Sequence, residues 1–511
     1  MSAPSSDDGF AETLAARLTG YGAGQCIEFA GTWHTGHDID RYRSAINRAL
    51  RDAGVGPTGP VGLVVRNRVP HAAAVLDFVA RRRPVSMIYS YQSAQAIAAD
   101  IRALRPPAIL ADIEDFTPPL LQAVRETGCA AVAFSSSGPT VQCVAGRGPA
   151  IDATTAQPGL SLLTSGTTGP PKRMPIPTAV LRHTVASMTL GRAAAADDPP
   201  ALVFWPFGSV GVCQLLAGAY SGQRIVLLEK FTVQEWVAAV RTHRIRWTGV
   251  QPTVVRMLLE ADVPRSDLAS LEYLPGGSGP LEPELQRAFE DKYGIPLLWG
   301  YGATEFAGTV CSWTPDLRHE FGDTKPGSVG RTLPGVQVRI VDPETRLPVP
   351  TSGRGLLTAR LDILGPDWIE TTDIASMDAD GFITVHGRAD GAINRGGFKI
   401  LPDRVRAALL AHPDVRDACV VPVADARLGQ VPFAAVEIRT AGRAPSENEL
   451  KDIVRELLPA HNVPVAIHVV EQLPRNAAMK VRLDAVAALY DSDRIRTGSS
   501  TDVSDLRKKF T

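Results

Sequence analysis

Short apolar runs alternate with helix-like segments along the first half of the chain, and this alternation limits the fold more than any other feature. Strand-like runs occur at 61–65 (VGLVV), 108–110, 130–134, 201–205, 224–228 and 245–250. Helical spacing follows the first of them, in HAAAVLDFVARR. Because strands that alternate with helices form parallel sheets, we predict an α/β fold with a large N-terminal domain of mostly parallel sheets flanked by helices.

The pattern changes in the last third of the chain. Residues 325–365 are typical of antiparallel strands joined by turns, so we expect a β-rich subdomain there. A compact, small and mobile α+β C-terminal domain follows from about residue 391, with strands at 417–423 and 433–438. Its clearest helix begins at Ser446, where Glu449 completes a capping box.

Composition narrows the possible functions. A chain of 511 residues exceeds one ordinary core, and a formal net charge of −1 offers no electrostatic case for binding nucleic acid or an anionic membrane. The six cysteines form no C-x-x-C pair and predict neither a disulfide framework nor a metal site. The first residues lack the pattern of a secretory signal. The uncharged stretch 199–223 is interrupted by proline and glycine, which favours a strand–loop–helix over a membrane span. We expect a cytoplasmic protein.

The stretch LTSGTTGPPKRMPIP at 163–177 is the most informative one for function. Its glycines and hydroxyl residues precede a single lysine, Lys172, and a loop so rich in N–H and hydroxyl donors suits a polyanion such as a triphosphate. The spacing excludes the Walker P-loop. For the next residue, Arg173, contact with phosphate and exposure to solvent are both open, and we favour exposure to solvent.

This loop resembles the phosphate-loop signature of the adenylate-forming superfamily, which includes acyl- and aryl-CoA ligases, peptide-synthetase adenylation domains and luciferases. Further matches follow in the family's order, from GYGATE at 300–305 to Lys480, so that the resemblance covers most of the chain. It is greatest to the acyl- and aryl-CoA ligases. It implies ATP, Mg²⁺ and, as acceptor substrate, CoA.

The resemblance implies a nucleotide site assembled from several segments. The loop would hold the β- and γ-phosphates, the turn PGGSGP would receive adenine, Tyr301 would stack on it, and Asp373 with Arg388 would bind ribose or phosphate. The implied ATP-binding residues are Thr164, Ser165, Gly166, Thr167, Thr168, Gly169, Lys172, Gly277, Ser278, Gly279, Tyr301, Asp373 and Arg388.

The same resemblance implies the catalytic groups. Thr304 would touch the α-phosphate, Glu305 would coordinate Mg²⁺, and Lys480 would bridge the carboxylate of the substrate and the α-phosphate. Mg²⁺ prefers hard carboxylate and phosphate oxygens, which agrees with the role of Glu305. Where the family commonly has glycine before the catalytic lysine, this chain has Met479, so the geometry of that turn is open.

The acid-binding residues implied by the resemblance are mostly small. They are Phe207, Ser209, Val210, Gln251, Gly302, Ala303 and Gly308. The segment 205–213 has no aspartate to pair with an ammonium group, which argues against an α-amino acid. An aromatic acid and a short- or medium-chain acyl acid both suit this lining.

The resemblance also divides the chain. It implies an N-terminal adenylation domain at 1–388, a hinge at 389–391 around Asp390, a C-terminal domain at 392–490 that carries Lys480, and a flexible tail at 491–511. Gly396 and Gly397 would leave room for the pantetheine thiol of CoA.

We therefore predict an ATP-dependent carboxylate–CoA ligase whose partners are small molecules. One alternative is a stand-alone adenylation enzyme that loads a carrier protein or an amine acceptor. Another is a catalytically idle nucleotide-binding homologue, suggested by departures from the family pattern at Arg173, Thr372, Gly391 and Met479. A luciferase-like monooxygenase shares the first half-reaction and also remains open.

Overall fold

The computed structural model describes most of the chain, in two compact units. The first comprises Met1–Val338 and Ala359–Ile369, and the second comprises Arg339–Thr358 and Glu370–Thr511. The described residues are 7–135, 141–145, 157–164, 172–189, 193–195, 197–208, 210–303, 306, 308–389, 391–395, 398–425, 427–439, 444–476 and 479–496.

Fourteen α-helices lie within these ranges. They are α1 (Asp7–Gly20), α2 (Gly36–Asp52), α3 (Val69–Ala80), α4 (Ala94–Leu104), α5 (Pro118–Thr127), α6 (Thr178–Thr189), α7 (Val210–Ser221), α8 (Val233–His243), α9 (Pro252–Glu260), α10 (Pro283–Tyr293), α11 (Pro315–Phe321), α12 (Pro402–Leu410), α13 (Glu447–Leu457) and α14 (Leu483–Arg496).

A seven-stranded sheet organises the first unit. Its strands are β3 (Val61–Val65), β4 (Val85–Tyr89), β5 (Ala108–Asp112), β6 (Ala130–Phe134), β7 (Val141–Ala145), β8 (Gly159–Thr164) and β9 (Lys172–Pro177). The order is β7-β6-β5-β3-β4-β8-β9, and every neighbouring pair is parallel except the two at the edges. The predicted mostly parallel sheet is thus confirmed, and it buries strands such as VGLVV completely.

Two smaller sheets contain further strands next to the predicted site residues. One has the order β10-β11-β1-β2, from β1 (Gln25–Phe29), β2 (Thr32–Thr35), β10 (Ala201–Val203) and β11 (Ile225–Leu227). The other has the order β12-β13-β14-β15, from β12 (Leu274–Gly276), β13 (Leu297–Ala303), β14 (Gly308–Ser312) and β15 (Arg331–Thr332). The uncharged stretch 199–223 contains β10, a loop and α7, as predicted.

The β-rich region predicted after residue 325 is also present. It contains β16 (Val336–Val341), β17 (Gly355–Leu361), β18 (Ile369–Met377) and β19 (Ile383–Arg388), in the order β16-β17-β18-β19. Strands β18 and β19 form an antiparallel hairpin whose turn is closed by the Gly381 N–H donating to the Asp378 carbonyl. Gly381 has φ +80°, the left-handed region that this turn requires.

A five-stranded sheet forms the C-terminal part of the second unit. Its strands are β20 (Ile393–Arg395), β21 (Phe398–Ile400), β22 (Val415–Asp425), β23 (Gly429–Ile438) and β24 (Ile467–Val470). Two apolar clusters pack on it, one with α12 and α13 and one with α14. Ser446 and Glu449 form the predicted capping box of α13.

One strand prediction was wrong. Residues 245–249 form no strand, and only Val250 makes an isolated bridge, to Gly276. Thr248 donates to the Leu202 carbonyl, and Trp247 stacks on Tyr273. Strands β20 and β21 are antiparallel partners, with Arg395 opposite Phe398.

Candidate active site

The predicted phosphate loop connects the two strands of an antiparallel hairpin. Strands β8 and β9 pair from Gly159 with Pro177 to Thr164 with Lys172, which are the last partners before the loop. Because β8 also pairs in parallel with β4, the hairpin continues the main sheet. The loop therefore starts and ends on rigid backbone at one edge of that sheet.

The expectation that Arg173 faces solvent was wrong. Its guanidinium pairs with Asp100 of α4 at 2.5 Å and donates to the carbonyl oxygens of Met87 and Ser161 at 3.0 and 3.2 Å. Its side chain is 18% exposed. Arg173 lies on β9, opposite Leu163 of β8. Its side chain connects this hairpin to α4 and β4. The basic residue that replaces the family glycine is thus a structural anchor of the loop.

The glycine turn 277–279 and Tyr301 are brought together. Strands β12 and β13 are parallel, with Gly276 opposite Trp299, so that the turn follows the end of β12 while Tyr301 lies two residues beyond Trp299 on β13. A Cβ on Gly277 would lie 3.1 Å from the Gly300 carbonyl oxygen. Ser278 has φ +66°, and the Trp299 indole N–H donates to the Gly279 carbonyl at 2.9 Å. Glycine at 277 permits this close approach of the turn to β13.

A buried asparagine that sequence reasoning missed holds the segment 205–208. Asn67 follows β3 and is 3% exposed. Its amide nitrogen donates to the carbonyl oxygens of Trp205 at 2.9 Å and Leu228 at 3.2 Å, and its amide oxygen accepts from the Phe207 N–H at 2.9 Å. The Trp205 indole N–H donates to the Gly249 carbonyl at 3.0 Å. The start of the predicted acid-binding segment is therefore fixed through its backbone.

A second missed residue, Tyr89, lies between this segment and the phosphate hairpin. The Tyr89 hydroxyl is within hydrogen-bond reach of the carbonyl oxygens of Leu163 and Gly208. Burial raises the pKa of Tyr89 to about 12, so the hydroxyl keeps its proton at neutral pH. A Cβ on Gly208 would lie 2.0 Å from the Tyr89 ring, which leaves glycine as the residue that fits. Tyr89 thus connects the two predicted substrate segments.

Hairpin β13–β14 brings together the small residues expected to line the acid pocket. Gly302 pairs with Thr309, and Ala303 pairs with Gly308. A Cβ on Gly302 would lie 2.2 Å from the Gly308 carbonyl oxygen, and one on Gly308 would lie 3.5 Å from the Thr184 hydroxyl of α6. Gln251 precedes α9, where it is 8% exposed.

In the second unit, Asp373 and Arg388 are direct partners across hairpin β18–β19. The Asp373 N–H donates to the Thr371 hydroxyl at 3.1 Å, and the Thr371 hydroxyl donates to the Leu357 carbonyl at 2.7 Å. The Ala389 N–H donates to the Thr372 carbonyl at 2.6 Å. An acidic and a basic residue therefore lie opposite one another in the register of the hairpin, at the end away from its turn.

Lys480 lies at the end of a tight turn whose flanks meet in a bridge between Arg475 and Val481. Asn476 closes this turn: its side chain accepts from the Lys480 N–H at 3.0 Å, and its own N–H donates to the Lys480 carbonyl at 2.8 Å. Met479 has φ +59°, in the left-handed region where the family has glycine. The Lys480 side chain is exposed to solvent, yet partial desolvation by surrounding protein lowers the pKa of its ammonium.

Several predicted residues lie outside the described ranges, so their placement stays a prediction. They are Ser165, Gly166, Thr167, Thr168, Gly169, Ser209, Thr304, Glu305, Asp390, Gly396 and Gly397. Val210 begins α7. Within the described residues there is no group of three or more His, Cys, Asp or Glu side chains that could hold a metal.

One signal could have found Asn67. It is a polar, uncharged residue two positions beyond a fully buried strand, and the carboxyl ends of parallel strands are where α/β folds place binding segments. Tyr89 carries a similar signal as the last residue of β4.

The chain belongs to the AMP-binding enzyme family. The family model for AMP-binding enzymes matches residues 14–364, and the model for the AMP-binding enzyme C-terminal domain matches residues 405–480. It is therefore an adenylate-forming enzyme, and its relatives place it nearest to the acyl- and aryl-CoA ligases.

Two curated relatives illustrate this position. The chain is 30% identical to a 2-succinylbenzoate–CoA ligase of Bacillus pumilus (strain SAFR-032) over 351 residues, which is 65% of this chain and 70% of the relative. It is 29% identical to 4-coumarate–CoA ligase 1 of Solanum tuberosum over 344 residues, which is 62% of each chain.

Solved structures show the same fold. ATP-bound MatB from Rhodopseudomonas palustris matches with a TM-score of 0.80 at 20% identity, covering 94% of this chain and 99% of MatB. The amide bond synthetase McbA from Marinactinospora thermotolerans matches with a TM-score of 0.77 at 22% identity, covering 95% of this chain and all of McbA. No helix among the described residues is both long and apolar enough to span a bilayer.

Proposed function

We propose that this chain is an ATP-dependent carboxylate–CoA ligase that activates an aromatic or a short- to medium-chain acyl acid. The observation that carries the proposal is the close backbone approach of the glycine turn 277–279 to Gly300 of β13, next to Tyr301. In an adenylate-forming family, this turn and Tyr301 suit an adenine ring. The phosphate hairpin of the same unit then receives the β- and γ-phosphates.

The first half-reaction joins two anions. A carboxylate oxygen of the acid attacks the α-phosphorus of MgATP, the bond to pyrophosphate breaks, and an acyl adenylate forms. Thr304, Lys172 and Lys480 stabilise the charge on the phosphates, and Glu305 supplies a carboxylate oxygen to the magnesium of the nucleotide. Asp373 accepts hydrogen bonds from the ribose hydroxyls, while Arg388 neutralises the nearby carboxylate or phosphate.

The second half-reaction transfers the acyl group. The CoA thiolate attacks the carbonyl carbon of the acyl adenylate, and AMP leaves with the bonding electrons of the C–O bond. The glycines at 396 and 397 leave room for the pantetheine arm. Motion about the hinge around Asp390 switches the enzyme from the first half-reaction to the second. The C-terminal domain at 392–490 moves about that hinge.

An amine acceptor is the second candidate, and the likeness to the amide bond synthetase McbA favours it. In that case a neutral amine attacks the same carbonyl carbon, AMP leaves, and the amine loses a proton. A carrier-protein thiol would react as CoA does.

A panel of acids separates these candidates. Each acid is incubated with MgATP, and AMP release is measured alone, with CoA, and with an amine, using K480A as the inactive control. We expect 2-succinylbenzoate, 4-coumarate or a short acyl acid to give CoA-dependent AMP release and a CoA thioester. Release that responds to the amine and not to CoA would support the second candidate, and release with neither acceptor from any acid would contradict both.

A further inference from the structure

Two buried carboxylates lie side by side in the C-terminal sheet. Asp417 of β22 and Glu437 of β23 are register partners, and each side chain is only 4% exposed. A buried carboxylate is costly unless hydrogen bonds and cations surround it. Each has a cation of its own: Arg406 binds Asp417 at 2.7 Å, and Arg416 binds Glu437 at 2.5 Å.

A third arginine reaches the same carboxylates from the lysine turn. Arg475 is 12% exposed, and one end of its guanidinium pairs with Asp417 and lies 4.0 Å from Glu437. The other end donates to the Met479 carbonyl at 3.1 Å. A planar guanidinium can hold two acceptors in one fixed geometry, which an ammonium cannot. Arg475 therefore connects the buried sheet to the residue immediately before Lys480.

Charge compensation alone does not account for this arrangement. Asp417 also accepts from the Ala418 N–H, and Glu437 also accepts from the Leu473 N–H, in addition to their own arginines. The Met479 carbonyl is a neutral acceptor, in a turn where Met479 takes a left-handed conformation that is unfavourable for a side chain. The contact from Arg475 therefore ties the backbone of Met479, next to Lys480, to the buried sheet.

We propose that Arg475 is a positioning residue for adenylation, which fixes the backbone of Met479 to Asp417 so that Lys480 is held in its reactive geometry. This inference rests on the proposed role of Lys480. It predicts a selective defect: the turnover of the first half-reaction falls, because a displacement of about 1 Å can reduce the rate on the order of 100-fold. Thioester formation from supplied acyl adenylate does not need Lys480 and is unchanged.

The test uses R475K, with R482K as the matched control. R475K keeps a cation beside Asp417, so that the buried carboxylates stay paired, but it cannot hold Asp417 and the Met479 carbonyl together. Arg482 lies two residues after Lys480, pairs with Asp484 at the surface, and has a side chain that is 54% exposed. ATP–pyrophosphate exchange, thioester formation from supplied acyl adenylate, and Tm are measured for the full chain.

We expect R475K to lower kcat of exchange by about 10- to 100-fold with KM for ATP within about twofold, as fits a misplaced group. Its thioester step and its Tm should stay near those of the parent, and R482K should match the parent throughout. Equal losses in both half-reactions, or no loss in exchange, would overturn the proposal. K480A distinguishes a failure of the proposed role of Lys480 from a failure of the inference about Arg475. If K480A still catalysed exchange, the role proposed for Lys480 would be wrong. If K480A were inactive in exchange while R475K stayed fully active, only the inference about Arg475 would be refuted.

Discussion

At the scale of single residues, the turn before Lys480 shows how a departure from a family pattern can keep the geometry. The family commonly has glycine at this position, and Met479 nevertheless adopts φ +59°. A side chain in the left-handed region costs about 1 kcal/mol relative to glycine. The contact from Arg475 to the Met479 carbonyl helps to offset that cost.

This strain predicts the order of stability of two variants. M479G and M479A both remove the methionine side chain, but only M479G relieves the backbone. We expect M479G to be more stable than M479A by about 1 kcal/mol in urea unfolding. Equal stabilities, or a more stable alanine variant, would show that the turn is not strained at Met479.

The lowered pKa of Lys480 predicts how adenylation depends on pH. Partial desolvation by surrounding protein disfavours the charged ammonium, so this lysine loses its proton at a lower pH than an ordinary lysine, whose pKa is about 10.4. Because the role proposed for Lys480 needs the ammonium form, pyrophosphate exchange should be present below the pKa of Lys480 and lost as the pH rises through it. Thioester formation from supplied acyl adenylate serves as the control. An alkaline limit of exchange at or above the ordinary lysine value would contradict this expectation.

At the scale of elements, the segment predicted to bind the acid is held by side chains at the ends of neighbouring strands. Asn67 follows β3, and Tyr89 ends β4; between them they contact the backbone of Trp205, Phe207 and Gly208. A short segment rich in glycine and proline has little intrinsic order, so these contacts decide its conformation.

Removing the amide of Asn67 should therefore destabilise the whole first unit. N67A leaves two carbonyl oxygens and the Phe207 N–H without this partner, and we expect a loss of about 3 kcal/mol in the free energy of unfolding. Q122A is the control, because Gln122 is exposed on α5 and its amide bonds only Glu126 among the described residues; its effect should stay within about 0.5 kcal/mol. Similar effects of N67A and Q122A would argue against a stabilising role of the Asn67 amide.

At the scale of the whole molecule, the C-terminal part has a core of its own. One apolar cluster contains Ile393, Leu409 and Leu450, another contains Phe433 and Val486, and both consist only of residues from 393 onward. A segment that buries its own apolar residues in this way can fold without the rest of the chain.

A fragment of residues 392–496 should therefore fold cooperatively. We expect a single thermal transition by circular dichroism and dispersed amide signals by NMR. L450A, which opens a cavity at a fully buried position of α13, should lower Tm and serves as the control for a native core. A fragment that melts without a transition would show that this part depends on the N-terminal residues.

The sequence alone determined the order of elements, the class of fold and the class of chemistry. Apolar runs, capping residues and glycine-rich loops act over a few neighbouring residues, so α10, the capping box of α13 and the hairpin turn at Gly381 were predictable from local pattern. Where a local pattern was ambiguous, as at 245–250, prediction failed because the stretch meets a neighbouring strand only at Val250, through an isolated bridge to Gly276.

Only the tertiary structure decided which partners the site residues have. Arg173 meets Asp100 across 73 positions of the chain, Asn67 meets Trp205 across 138, and Arg475 meets Asp417 across 58. No local periodicity encodes such pairs, since they depend on which strand ends the folded sheets bring side by side. The physical reason is that a buried polar group is stable only beside its partner, and folding of the entire unit supplies that partner.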